Sequence, residues 1–180
     1  MALFDRLRNW GKSPPPSISS DSYLGAERRA KPRINARAGT RILVVDDSST
    51  IIALLRKMLA QNAYEVIEAV TAEAALEAAK TGPELIFLDI VLPDGDGFNV
   101  LRELRKRAET RDVPVIMMSG NAQATEQFYV QRIGADDFMK KPFARAEVFS
   151  RIEVLLDSDY RPRRTAQRIG VPAELAGMSA

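Results

Sequence analysis

Between Arg41 and Leu156, short apolar runs alternate with stretches of helical period, and no other feature restricts the fold as tightly. The first run, Arg41–Val45 (RILVV), is continuously apolar, as expected of a parallel strand covered on both faces. Asp46–Ser49 closes it with acids and capping residues. Thr50–Ala63 then carries Ile51, Leu54, Leu55, Met58 and Leu59 at helical spacing. Tyr64–Ala69 reads as a half-buried strand, and Thr71 can cap a helix to Lys80 that Gly82-Pro83 breaks. Leu85–Leu88 (LIFL) is a third strand ending at Asp89, followed by the turn-rich loop Ile90–Gly97 (IVLPDGDG). Phe98–Arg107 is amphipathic, with Phe98, Leu101 and Leu104 on one side. Val113–Met118 is the fourth strand, with its proline near the entry, where a missing N–H matters least. Ser119–Asn121 leads into a helix to Arg132 that Gly134 ends. Asp137–Lys140 is a fifth strand, and Ala144–Leu156 a helix with Val148, Phe149, Ile152, Leu155 and Leu156 inward.

Five strand–helix units in the 117 residues 41–157 predict a doubly wound α/β layer with a parallel sheet, because such crossovers are right-handed. A flavodoxin-like order 2-1-3-4-5 and a Rossmann half both fit the length. No G-x-G-x-x-G or G-x-x-x-x-G-K-[ST] opens the first loop, so the nucleotide fingerprint is missing.

In an open parallel sheet, ligands bind beyond the carboxyl ends of the strands. Strand one delivers Asp46 and Asp47 there, strand three Asp89, strand four Ser119 and strand five Lys141. In the 2-1-3-4-5 order strands one and three are neighbours, so three carboxylates converge on one crevice. Such a group cannot stay fully ionised without compensation, and an all-oxygen site favours Mg²⁺ or Mn²⁺. The chain has no His and no Cys, which excludes thiol chemistry, Ser-His-Asp catalysis and His- or Cys-ligated zinc. Cation, ammonium and hydroxyl together make a clamp for a phosphoryl group, and a carboxylate can be its acceptor. Asp89, alone at the tip of a buried strand, suits the acceptor role, and the adjacent Asp46 and Asp47 suit the cation. Singly, each residue has a plainer reading, since acids at strand ends are common caps. All five at five separate element ends is another matter.

The segments ILVVDDS (Ile42–Ser48), LIFLDIVLPDGDGF (Leu85–Phe98), VPVIMMSG (Val113–Gly120) and GADDFMKKPF (Gly134–Phe143) resemble, in order, the receiver domain of bacterial two-component response regulators. The resemblance covers residues 41–157 and is nearest in style to the stand-alone receivers of chemotaxis and twitching-motility systems. It implies the flavodoxin-like (βα)5 fold, with Asp46 and Asp47 binding Mg²⁺, Asp47 more directly, and Asp89 accepting the phosphoryl group. Ser119 and Lys141 would contact that group. Phe138 matches the aromatic switch position, and the backbone carbonyl of Val91 would be a further metal ligand. Val91 itself departs from the polar residues common there and cannot hydrogen-bond a hydrolytic water. A slower loss of phosphate is expected.

The chain contains no His, so any phosphohistidine donor must be another protein, and the resemblance implies a histidine kinase or a histidine phosphotransfer protein. The expected function is a non-enzymatic, phosphorylation-dependent switch whose output is a downstream protein target or a phosphorylation-dependent homodimer. The change would pass through the fourth helix, fifth strand and fifth helix. Two alternatives are a constitutive scaffold of receiver fold and a Mg²⁺-dependent phosphohydrolase with an Asp nucleophile. Against the hydrolase, Val91 stands where such enzymes usually carry a second Asp.

The basic charge is confined to the ends: residues 1–40 carry eight Lys/Arg against three Asp/Glu, residues 158–180 four against two, and residues 41–157 fourteen against nineteen. An acidic middle is unlike a nucleic-acid groove, so DNA contact is not expected. The sequence divides into an extension (1–40), the receiver (41–157) and a basic tail (158–180). Met1–Lys12 can form a short amphipathic helix that docks on a partner or, less readily, a membrane surface, and Ser13–Ser22 is a Pro/Ser linker. No signal-peptide core is present, and the expected location is the cytoplasm.

Overall fold

The computed structural model describes residues 33–120 and 134–164. The amphipathic stretch at 1–12, the linker at 13–22, the helix expected up to Arg132 and the tail beyond 164 lie outside the described residues. In chain order the elements are β1 (Arg41–Val45), α1 (Ser49–Ala60), β2 (Glu65–Ala69), α2 (Ala72–Ala79), β3 (Leu85–Asp89), β4 (Val91–Leu92), β5 (Gly95–Asp96), α3 (Gly97–Lys106), β6 (Val115–Ser119), β7 (Asp137–Lys140) and α4 (Arg145–Val154).

The main sheet has five strands in the order β2-β1-β3-β6-β7, all neighbours parallel. Counted along the main sheet alone, this is the expected 2-1-3-4-5 order of the flavodoxin-like fold. The difference in labels comes from β4 and β5, a two-stranded antiparallel hairpin inside the segment expected to be a plain loop. Two-residue strands leave no periodicity in a sequence.

Each central strand buries both faces, and the alternation of side chains sorts its residues into two cores. Ile42, Val44, Leu85, Phe87, Ile116, Met118 and Met139 pack with α1 and α4. Leu43, Val45, Ile86, Leu88, Val115, Met117 and Phe138 pack with α2 and α3. On α1 the buried face is Ile52, Leu55 and Leu59, with Ile51, Leu54 and Met58 at its edges. Ile52 belongs to the stripe although the helical spacing alone did not single it out.

Element ends follow local chemistry. Ser48 and Thr71 cap α1 and α2, each side chain accepting from an N–H three residues on. Gly82, at φ +76°, supplies the left-handed turn after α2 that a β-carbon would resist. The ladder of β6 starts at Val115 and not at Val113, because Pro114 has no N–H to give; its carbonyl still accepts from Ile86 N at 3.0 Å. No helix among the described residues is long and apolar enough to cross a membrane.

Candidate functional site

All of the sequence-predicted polar residues leave the carboxyl ends of main-sheet strands, and the parallel ladder holds those ends level. Asp89 pairs with Met118, Ser119 with Lys140, and Ile90 N donates to the Met118 carbonyl at 2.9 Å. Asp46 follows β1 directly and its N–H donates to the Ala69 carbonyl. Lys141 follows β7, and its N–H donates to the Ser119 carbonyl at 2.7 Å, tying β6 and β7 together at the site. The Lys141–Pro142 peptide is cis.

Lys141 reaches back over the sheet end. Its Nζ lies 2.6 Å from Asp46 Oδ2 and 2.7 Å from Asp89 Oδ2, with only 16% of its side chain exposed. The sequence paired Lys141 with the incoming phosphoryl group; here its ammonium bridges two of the acids. Asp46, Asp89 and Ser119 are buried, whereas Asp47 is exposed. One carboxylate oxygen from each of Asp46, Asp47 and Asp89 falls within 4.8 Å of the others.

The electrostatics are those of a site short of positive charge. Burial pushes the Asp46 carboxyl above the usual range. Lys141 and the Ser48 N–H, which donates to Oδ1 at 3.0 Å, only partly offset this, and the charge of Asp89 adds to the rise. Burial also works against the Lys141 ammonium, but its contacts with Asp46 and Asp89 and their charge outweigh that, so its pKa lies above the ordinary value. Asp46 Oδ2, although ion-paired with Lys141, has no partner with hydrogen-bond geometry among the described residues. A buried oxygen so placed, beside two further carboxylates and with one ammonium against three acids, fits a hard divalent cation with oxygen ligands. The donor set therefore suits Mg²⁺.

Val91 sits on β4 and is 69% exposed. Phe138 is buried within the core on the α2 and α3 side. Two residues that the sequence reading passed over shape this site. Gly97 opens α3 against the end of β3: a β-carbon there would land on the Asp89 carbonyl oxygen, and its N–H donates to Ile90 O at 2.8 Å. Asp96 caps α3 by accepting from Asn99 N at 2.7 Å. The D-G-D-G run was the available signal, and a cap followed by a close-approach glycine explains its second half.

A doubly wound α/β domain with an Asp cluster and a bridging Lys at its carboxyl edge resembles the phosphoaspartate and Mg²⁺ site of receiver-type signalling switches. Residues 42–153 match the response regulator receiver domain, and the chain belongs to that family. It is 38% identical over 117 residues to the alkaline phosphatase synthesis transcriptional regulatory protein PhoP of Bacillus subtilis, covering 64% of this chain and 48% of that protein. It is 39% identical over 118 residues to the KDP operon transcriptional regulatory protein KdpE of Escherichia coli, covering 65% and 51%. The chain thus spans about half the length of the curated relatives it matches. Among solved structures, the receiver domain of sensor histidine kinase PA1611 from Pseudomonas aeruginosa superposes with a TM-score of 0.58 at 32% identity, covering 64% of this chain and 94% of that one. That domain has a magnesium ion coordinated in its active site cleft.

Proposed function

We propose that this chain is a phosphorylation-dependent switch in which Asp89 takes a phosphoryl group from the phosphohistidine of a histidine kinase or histidine phosphotransfer protein. The observation that carries the reading is the buried Asp46–Lys141–Asp89 bridge at the ends of β1, β7 and β3, with Asp47 beside it. Asp46, Asp47, Asp89 and the backbone carbonyl of Val91 are the ligands assigned to Mg²⁺. Bound there, the ion supplies charge neutralisation for the acceptor carboxylate and the phosphoryl oxygens.

The chain's own residues do the remainder. An Asp89 oxygen attacks phosphorus as the donor's P–N bond breaks, and the imidazole leaves with that electron pair. Lys141, held within 2.7 Å of Asp89, pairs with the phosphoryl oxygens once they arrive. Ser119, at the end of the neighbouring strand, gives its hydroxyl to another. Phe138, three residues before Lys141 on β7, repacks as Ser119 is drawn in, and it switches by packing alone because it has no hydroxyl. The altered surface includes β7 and α4. Output is a protein contact, with a downstream target or with a second copy of the chain, in the manner of stand-alone receivers. Residues 41–157 are the switch, with the flanking segments outside its chemistry.

The test is incubation with Mg²⁺ and acetyl phosphate or phosphoramidate. The reading expects a base-labile label on Asp89, absent in Asp89→Asn, with unchanged far-ultraviolet circular dichroism in the variant. Turnover of many phosphate esters would instead make the protein a hydrolase. No label and no turnover would leave a scaffold of receiver fold.

A further inference from the structure

The hairpin that carries Val91 is too small to hold its own position. β4 and β5 contribute two residues each, with Val91 opposite Asp96 and Leu92 opposite Gly95, joined by Pro93 and Asp94. Even a longer isolated hairpin is marginal in water. Of the six residues from Val91 to Asp96, Leu92 alone is buried. Something else must fix the hairpin over the end of β3.

Two carboxylates do so, each on the start of a different helix. At the base, Asp96 caps α3. At the tip, Asp94 spans the opening of α2: Oδ1 accepts from Ala72 N at 2.7 Å and Oδ2 from Glu73 N at 3.1 Å. Thr71 takes the next N–H, that of Ala74, at 3.1 Å. The first three amides of α2, which an isolated helix leaves without partners, are thereby all satisfied, two of them by a residue 21 or 22 positions away. Gly95 lies against Ala72 at the same junction. The two amide hydrogen bonds also lower the Asp94 carboxyl below its ordinary value.

From this geometry we infer that Asp94 is a positioning residue: by clamping the hairpin tip to the N-terminus of α2, it sets where the Val91 backbone lies and so tunes the cation site from outside it. The inference rests on the proposed role of the Asp cluster. It makes α2 part of the machinery that places a ligand, although α2 contributes no side chain to the site.

The test compares the parent with Asp94→Ala, Asp94→Asn and Thr71→Ala in the full chain. Mg²⁺ affinity is read from the MgCl₂ dependence of the melting midpoint, and hairpin order from amide hydrogen exchange of Val91–Asp96 without metal. Asp94→Ala should raise the half-saturating MgCl₂ about fivefold or more and speed exchange across the hairpin. Asp94→Asn, keeping one acceptor oxygen, should fall between it and the parent. Thr71→Ala removes an α2 cap without touching the hairpin and should leave the MgCl₂ requirement unchanged. Unaltered MgCl₂ dependence in Asp94→Ala overturns the inference. So does an equal shift in Thr71→Ala, which would place the effect in helix stability. A parent whose melting ignores MgCl₂ overturns both the inference and the cation site. If the parent binds Mg²⁺ but takes no label on Asp89, the phosphorylation reading fails while the Asp94 variants still decide the clamp.

Discussion

Asp46 illustrates how the site trades stability for charge. It is fully buried, and burial lifts its carboxyl above the usual range despite Lys141 and Ser48. For an acid whose native pKa exceeds its unfolded value, the native state binds the proton more tightly. Stability then falls as pH rises from the unfolded pKa through the native one. Asp46→Asn should therefore raise the melting midpoint of the metal-free protein at pH 7, Lys141 keeping Asp89 as its partner, and shrink the stabilisation by Mg²⁺. At pH values below the unfolded pKa the gain should vanish. Thermal melts of both proteins across that range, with and without MgCl₂, check the sign. Val91 is the complementary case, an exposed apolar side chain beside a polar site. Once Asp89 is labelled, Val91→Asn should shorten the phosphate lifetime several-fold by giving a hydrolytic water a hydrogen-bond partner; an unchanged decay of radiolabel would remove the idea. That the acids and the ammonium gather at one edge of the sheet was legible in the sequence because each stands at the end of a strand. That Lys141 bridges two acids was not, since spacing along a chain says nothing of where a flexible four-carbon stem lands.

Elements explain why those side chains meet. Ile42 and Val44 face the α1 and α4 core, as do Leu85, Phe87 and Met139. Two-residue alternation carries that face onward to Asp46, Asp89 and Lys141, the three groups that touch. Met117, by contrast, faces the α2 and α3 core with Phe138, and the same alternation puts Ser119 on that side. The strand pattern alone thus separates the charge cluster from the face shared by Ser119 and Phe138. The strand order was legible for a related reason, because both central strands are apolar throughout and the acids cluster only if β1 and β3 adjoin. The β4–β5 hairpin was not legible, since it is held by side-chain caps and not by a buried face. The junction after it gives the sharpest element-level prediction. Gly97 must bring α3 against the Asp89 carbonyl, so Gly97→Ala has to displace either the helix or the acceptor strand. The expected cost is about 1–3 kcal/mol, measured by denaturant unfolding. Labelling of Asp89 should fall as well; a variant with parental stability and labelling would mean that the junction yields easily.

On the scale of the molecule, the described parts of the basic flanks, residues 33–40 and 158–164, are more than a solvated fringe around an acidic middle. On the N-terminal side Ala36 is buried, its N–H donating to the Tyr64 hydroxyl at 2.9 Å, while the Arg33 and Arg145 guanidinium groups lie over the Phe149 ring at 5.5 and 4.7 Å. On the other side, the chain after α4 folds back through a bridge between Leu156 and Pro162, with Arg163 N donating to Leu155 O. It ends the described segment with Arg164 inserted at the start of β7. Nε donates to Asp136 Oδ1 at 3.1 Å, one terminal nitrogen to Arg111 O at 3.2 Å and the other to Gly134 O at 3.1 Å. The Asp136 carboxylate, itself almost wholly buried, also accepts from Arg105 and from Val115 N. Burial and the nearby Arg164 push Arg105 down to about 10, still charged at neutral pH. Net charge per segment could not reveal this, because it counts a guanidinium without saying which acceptors it finds. Arg164, 19% exposed, uses the full planar fork on three separate acceptors. Arg164→Ala should cost about 1–3 kcal/mol of stability. Arg164→Lys should recover little of it, since one ammonium cannot reach all three acceptors in that geometry. If lysine restores the parental melting midpoint, charge alone holds the arm; if only arginine does, the segment after α4 is docked by shape as well as by sign.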